Sequence, residues 1–192
     1  MELNGKFEQA LLLASDLHQN QIRKGSSIPY LSHLLGVTSI ALRFGASEDE
    51  AIAALLHDAV EDQGGAPTLK KIEDQFGNTV ARIVMGCSDS NQTPKPPWHQ
   101  RKQTYLNHLM SAEESIVFIS AADKLYNAQD CIYTHHEIQE QLWNLFSAPK
   151  EDTKWYYRSL AEIYQSRKMD CPRIAPLLNE VISTIEELLM LP

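Results

Sequence analysis

Apolar residues recur along most of this chain at spacings of three and four, the period of a helix with one face turned to a core. Phe7, Ala10, Leu11, Ala14, Leu17 and His18 give such a face over residues 6–22. Tyr30 to Phe44 predicts a second helix, closed by Gly45, and a third runs from about 48 to 63. Thr68 opens a short fourth helix that Phe76-Gly77 ends, and Thr79 to Cys87 gives a fifth. The prolines of Thr93-Pro94-Lys95-Pro96-Pro97 make Asp89 to Pro97 a loop. Trp98, Arg101, Tyr105 and Leu109 mark one face of a sixth helix. Ser111-Ala112-Glu113-Glu114 reads as a capping box before a seventh, from about 113 to 130. Residues 132–149 have a weaker period, compatible with a short helix or a lid. Two more helices follow at about 151–168 and 173–190, with Pro172 and Pro176 near the start of the last. No strand alternation, internal repeat or low-complexity tract is visible. The expected fold is all-α, one domain over residues 1–192, a bundle of about eight to ten helices whose C-terminal pair packs on the rest.

The third helix carries the chemistry. Ser47 and Glu50 form a capping box at its start, and Gly64-Gly65 ends it. Between them, Ala51-Ile52-Ala53-Ala54-Leu55-Leu56 runs into His57-Asp58-Ala59-Val60-Glu61-Asp62. On this reading three acids crowd the negative end of a helix, each disfavoured by roughly 0.3–1 kcal/mol. Asp58 and Asp62 add like-charge repulsion at i,i+4. A histidine among acids that accept such penalties points to a cation, and a metal is the natural candidate.

Composition narrows the partners. The 192 residues carry a net charge of −8 with no basic stripe, which argues against a nucleic-acid surface. It leaves room for a small phosphorylated ligand, because a metal and a few local cations can reverse the field in one cleft. Cys87, Cys131 and Cys171 are odd in number and lack metal-ribbon spacing, so reduced cysteines in a cytoplasmic protein are expected. Met1-Glu2-Leu3-Asn4 does not open a signal peptide, and no apolar run approaches membrane-spanning length.

His33, in Tyr30-Leu31-Ser32-His33, and Asp123, after Ile116-Val117-Phe118-Ile119, supply partners for His57 and Asp58. Two histidines and two carboxylates suit manganese, iron, zinc or magnesium. This H…HD…D order resembles the HD-domain phosphohydrolases. Arg23-Lys24, Pro29-Tyr30 and His33 look like the "RK…PY..H" element of the SpoT/Rel hydrolase type. Leu55 to Asp62 looks like its "LLHDxxED", and Thr68, Phe76-Gly77 and Val80 fit "T…FG..V". Ala122-Asp123-Lys124-Leu125-Tyr126-Asn127 looks like "ADKLYN". The match covers roughly residues 5–170 and is similar to the small alarmone hydrolases, including the metazoan SpoT homologues. At this length no synthetase or regulatory domain is expected.

The resemblance implies a manganese-dependent enzyme that removes the 3′-pyrophosphate of (p)ppGpp, giving GDP or GTP and pyrophosphate. It implies His33, His57, Asp58 and Asp123 as metal ligands and Glu61 and Asp62 as the catalytic acid pair. It implies Arg23, Lys24, Lys102, Lys124 and Asn127 as substrate contacts, with Arg101 beside Lys102 in a basic element. His18 reads as a hydrogen-bonded structural residue. Leu34, Ser120 and Asp130 depart from the residues usual at those places, which leaves the base and the phosphate number open. Alternatives are the same chemistry on an adenine alarmone or on the 2′-phosphate of NADPH, a nucleotidase releasing inorganic phosphate, and a non-catalytic nucleotide sensor. The oligomeric state has no signal in the sequence.

Overall fold

The computed structural model describes residues 2–89 and 94–192. Among them the helices are α1 (Gly5–Leu17), α2 (Leu31–Arg43), α3 (Glu48–Leu56), α4 (Ala59–Asp62), α5 (Ala66–Phe76), α6 (Asn78–Cys87), α7 (Trp98–Leu109), α8 (Glu114–Ile138), α9 (Lys150–Arg167) and α10 (Ala175–Leu189). Short 3-10 segments cover Gln139–Leu145 and Pro172–Ile174. One antiparallel bridge, Ile22 to Pro29, closes the loop after α1. The expected loop from Asp89 to Pro97 falls partly on residues 90–93, outside the described residues.

Two helices form the axis of the bundle. In α3, Ala51 to Leu56 are all fully buried, as expected of a helix that is apolar all round. In α8, Val117, Phe118, Ile119, Ala121, Ala122 and Leu125 are equally buried. α2 packs on both, α1 lies on α3, α6 bridges α3 and α8, and α10 covers α8 and α9. The approach of α2 to α8 depends on Gly36, where a Cβ would run into the Tyr126 ring. The Ser47–Glu50 capping box is formed. Glu50 also accepts from Arg173 Nη2 at 2.6 Å and Ser115 Oγ at 2.8 Å, which ties the start of α3 to the α9–α10 connection and to α8.

The structure corrects three local expectations. The third helix does not run unbroken to residue 63. α3 ends at Leu56 and α4 begins at Ala59, with Asp58 at φ −95°, ψ −4° between them. The Ala54 carbonyl, which a continuing ladder would share with Asp58, accepts from the His57 imidazole at 2.8 Å, a side-chain bond that competes with helix continuation. Glu61 and Asp62 therefore sit past a break, and the penalty expected from the pole of one long helix does not apply to them. Ser111 does not cap α8; the N-cap is Glu113, without a side-chain cap bond. Finally, α8 extends to Ile138 because Cys131 and Ile132 pack on the core and His135 is buried. The 132–149 segment is the end of that helix plus a 3-10 turn whose Leu142 and Trp143 are buried.

Candidate active site

Three elements bring four side chains to one point. α2 contributes His33, the α3–α4 break contributes His57 and Asp58, and α8 contributes Asp123. His57 Nε2 lies 3.1 Å from Asp58 Oδ2 and 3.7 Å from Asp123 Oδ1. His33 Nε2 lies 3.4 Å from Asp58 Oδ2, 3.3 Å from Asp123 Oδ1 and 3.3 Å from His57 Nε2. His33, His57 and Asp58 each place a ligand atom within 4.8 Å of the others. Because His57 Nδ1–H is spent on Ala54, Nε2 is the ring nitrogen that faces the centre.

The electrostatics favour a cation there. Burial alone would lower the His57 pKa, but the Asp58 and Asp123 charges outweigh it and hold it well above the ordinary value. Burial would raise both carboxyls. The His57 and His33 neighbours hold Asp58 well below the usual range, and Lys124 with the two histidines does the same for Asp123. Two ionised carboxylates and two inward imidazole nitrogens, converging from three elements, are a donor set that fits a divalent metal.

Further contacts orient this cluster. Tyr30 Oη donates to Asp58 Oδ2 at 2.6 Å. Asn127 Nδ2 donates to Asp123 Oδ1 at 2.6 Å, and Lys124 pairs with Asp123 Oδ2. The Tyr126 ring meets His33 edge-on at 5.1 Å between centroids.

A cleft opens beside the cluster, lined by Asp58, Glu61, Asp62, Asp123 and Asn127 and by the cations Arg23, Lys102 and Lys124. Glu61 Oε1 accepts from Lys95 Nζ at 2.9 Å, with Arg101 Nη1 at 3.9 Å. Burial and the Asp89 charge push the Glu61 carboxyl up, against the pull of Lys95. Asp62 Oδ2 accepts from Gln21 Nε2 at 2.9 Å. Arg23 Nη2 donates to Asn127 Oδ1 at 3.1 Å and Asp130 Oδ2 at 2.7 Å. Lys102 Nζ donates to Asp89 Oδ2 at 2.6 Å and lies 4.9 Å over the Tyr156 ring.

All the residues expected at a site lie on this cleft or its floor except Lys24, which is exposed and does not line it. Arg101, from the same basic element as Lys102, does not line the cleft either and clasps Asp89 at 2.5 and 2.6 Å. Tyr30, Asp89, Lys95 and Gln21 are site neighbours without a role legible in the sequence, and Asp130 stands out there only as a departure from the usual residue. Tyr30 was visible only as part of a motif; the Asp89 amide and Lys95 reach Glu61, Asp130 reaches Arg23 and Gln21 reaches Asp62 across 28 to 107 residues, contacts that no local spacing announces. Ser120, where a lysine is usual, bonds the Tyr105 and Tyr164 hydroxyls at 2.8 and 2.9 Å and serves the core.

An all-helical bundle with two histidines and two aspartates gathered across α2, the α3–α4 break and α8 defines an HD-type domain. The HD domain family matches residues 10–151. Similar sequences include the guanosine-3′,5′-bis(diphosphate) 3′-pyrophosphohydrolase MESH1 of Danio rerio, 38% identical over 120 residues, which are 61% of this chain and 64% of that protein. The human protein of the same name is 33% identical over 71% of this chain and 80% of its own length. Among solved structures, a metazoan orthologue of SpoT, described as hydrolysing ppGpp, aligns with a TM-score of 0.74 at 22% identity, over 95% of this chain and 97% of that one. A Listeria monocytogenes EGD-e protein aligns at 0.71 and 25% identity, over 82% and 98%. This chain belongs to the HD domain family, with the MESH1 hydrolases among its relatives.

Proposed function

We propose that this protein is a metal-dependent hydrolase of guanosine 3′,5′-bispyrophosphate-type alarmones, removing the 3′-pyrophosphate to give GDP or GTP and pyrophosphate. The observation that carries the reading is one cleft with a two-histidine, two-aspartate cluster on its floor, the Glu61-Asp62 pair on one side and Arg23, Lys102 and Lys124 around it. The names of the zebrafish and human relatives support the same substrate.

His33, His57, Asp58 and Asp123 would hold the cation, with manganese the proposed ion. When bound, it supplies charge that eases ionisation of water and neutralises phosphate. The chain's own residues do the rest. Water adds to the phosphorus next to the ribose O3′ as the P–O3′ bond breaks. One carboxyl of the Glu61-Asp62 pair takes the proton from water, and the other delivers one to O3′. Arg23 and Asn127 hold the nucleoside side, and Lys102 and Lys124 meet phosphate oxygens as point charges. Lys24, outside the cleft, contributes only to the field around it.

The partner is a small nucleotide, and the net charge of −8 speaks against nucleic acid. No described helix is long and apolar enough to cross a membrane. The three free cysteines suit a reducing cytoplasm. The test is product analysis by 31P NMR after metal-stripped protein is reloaded with single divalent ions and given ppGpp. Pyrophosphate release, greatest with manganese, is expected. Release of inorganic phosphate alone, or much faster turnover of adenine nucleotides, would overturn the reading.

A further inference from the structure

We infer that Gln21, oriented by His18 and Gln63, is the positioning residue that fixes the Asp62 carboxylate in the cleft; this rests on the acid-pair reading above. Gln21 lies in the turn after α1, outside the cleft wall, and three hydrogen bonds meet at its side-chain amide. Oε1 faces His18 Nδ1 at 2.7 Å and accepts from Gln63 Nε2 at 2.6 Å. Nε2 donates to Asp62 Oδ2 at 2.9 Å.

The pattern has one self-consistent arrangement. A carboxylate oxygen needs a donor opposite it, so the amide NH2 must face Asp62. The amide oxygen then faces His18, which must present Nδ1–H. With Oδ2 engaged, Oδ1 is the Asp62 oxygen left for the cleft, 3.8 Å from Lys95 Nζ.

The other side of His18 links this device to the metal cluster. The His18 ring stacks on Tyr30 at 5.2 Å and 17°, and Tyr30 donates to Asp58. One wall therefore sets both the Asp62 oxygen and the Asp58 oxygen, whose separation decides whether the acid meets the attacking water. The backbone needs none of these side-chain contacts, since Gln21 N donates to the His18 carbonyl at 3.0 Å and Gln21 O accepts from Tyr30 N at 2.9 Å. Substitution of the side chain leaves the turn anchored.

The experiment compares Gln21→Leu, Gln21→Glu, His18→Asn and His18→Leu in the manganese-loaded full chain with ppGpp. Gln21→Leu should lower kcat by about tenfold, part of the roughly 10²–10⁴-fold that a placed acid or base supplies. KM should stay within about twofold, because Gln21 does not line the cleft. Gln21→Glu, which sets a carboxylate against Asp62, should fall further. His18→Asn retains a donor near the Nδ1 position and should rescue the rate that His18→Leu loses. An active wild type with an unchanged Gln21→Leu kcat overturns the inference, as does a loss shared with manganese affinity and thermal stability. If the wild type leaves ppGpp intact, the substrate reading fails instead. Crystal structures then decide the inference: Asp62 rotating away in Gln21→Leu supports it, and Asp62 unmoved overturns it.

Discussion

The Tyr30 hydroxyl donates to Asp58 Oδ2 at 2.6 Å, and that same oxygen lies 3.1 Å from His57 Nε2. Burial first, and then the Asp58 charge, push the Tyr30 phenol far above its ordinary pKa, so it stays a donor at any working pH. Asp58 sits at the break between two helices, where the backbone constrains it less than a helix interior would. The phenol fixes which carboxylate oxygen turns inward.

Tyr30→Phe should therefore loosen the metal site without unfolding the protein. Groups bonded to metal ligands typically contribute about 10–100-fold in affinity or activity. Manganese titration of the stripped variant should show weakening in that range, with a melting temperature close to the parent's. Parental affinity would show that the helix break alone orients Asp58.

Gly36→Ala tests how closely α2 must approach α8. In an isolated helix the change would stabilise by roughly 1 kcal/mol. Here the new Cβ meets the Tyr126 ring, whose edge also packs on His33. Overpacking of this kind costs about 1–3 kcal/mol. Urea denaturation should show a net loss, and Tyr126→Leu in the same chain should recover part of it. A gain in the single variant would mean the helices separate freely.

The split between what the sequence revealed and what it hid follows from range. His33, His57, Asp58 and Asp123 were legible because each sits in a motif read locally. The break at His57-Asp58 was not, because it arises from an imidazole taking a carbonyl three residues back. Nothing in the residue types distinguishes that from a helix running on. Lys24 shared a motif with Arg23, yet among the described residues it is Arg23 that finds partners, Asn127 and Asp130 on α8. The Ser111 capping box failed for a related reason. Ser111 N bonds the His108 carbonyl as α7 ends, and α8 starts later, at Glu114.

Glu50 predicts an acid-dependent loss of stability at the end of α3 away from His57. Burial would raise its pKa, but the Ser47 amide, Arg173 and Ser115 together hold it below the ordinary 4.5. A depressed carboxyl stabilises the fold above its unfolded value, and the contribution disappears as pH falls through the folded value. Charged hydrogen bonds contribute about 1.5–3 kcal/mol, and the lower end applies because the Arg173 side chain is 41% exposed. Glu50→Gln should thus be less stable than the parent at pH 7, with the gap closing as both are acidified below about pH 4. A gap that persists in acid would assign the loss to packing.

Arg23 and Lys24 are adjacent in sequence but unequal in place, and kinetics should separate them. The Arg23 guanidinium lies 5.9 Å from both the Tyr30 and Tyr126 ring centroids, with its donors directed at Asn127 and Asp130. It is a planar cation held ready at the cleft wall, a group that can stack or bond in a fixed plane. Arg23→Ala should raise the KM for ppGpp by about tenfold or more, the scale of a charged hydrogen bond lost without replacement. Arg23→Lys should recover little, because a point charge cannot reproduce the fork. Lys24→Ala should change KM by no more than about threefold, and added salt should erase the difference, as for any exposed charge acting through solvent. Equal effects from the two residues would mean that Lys24 enters the cleft when the nucleotide binds.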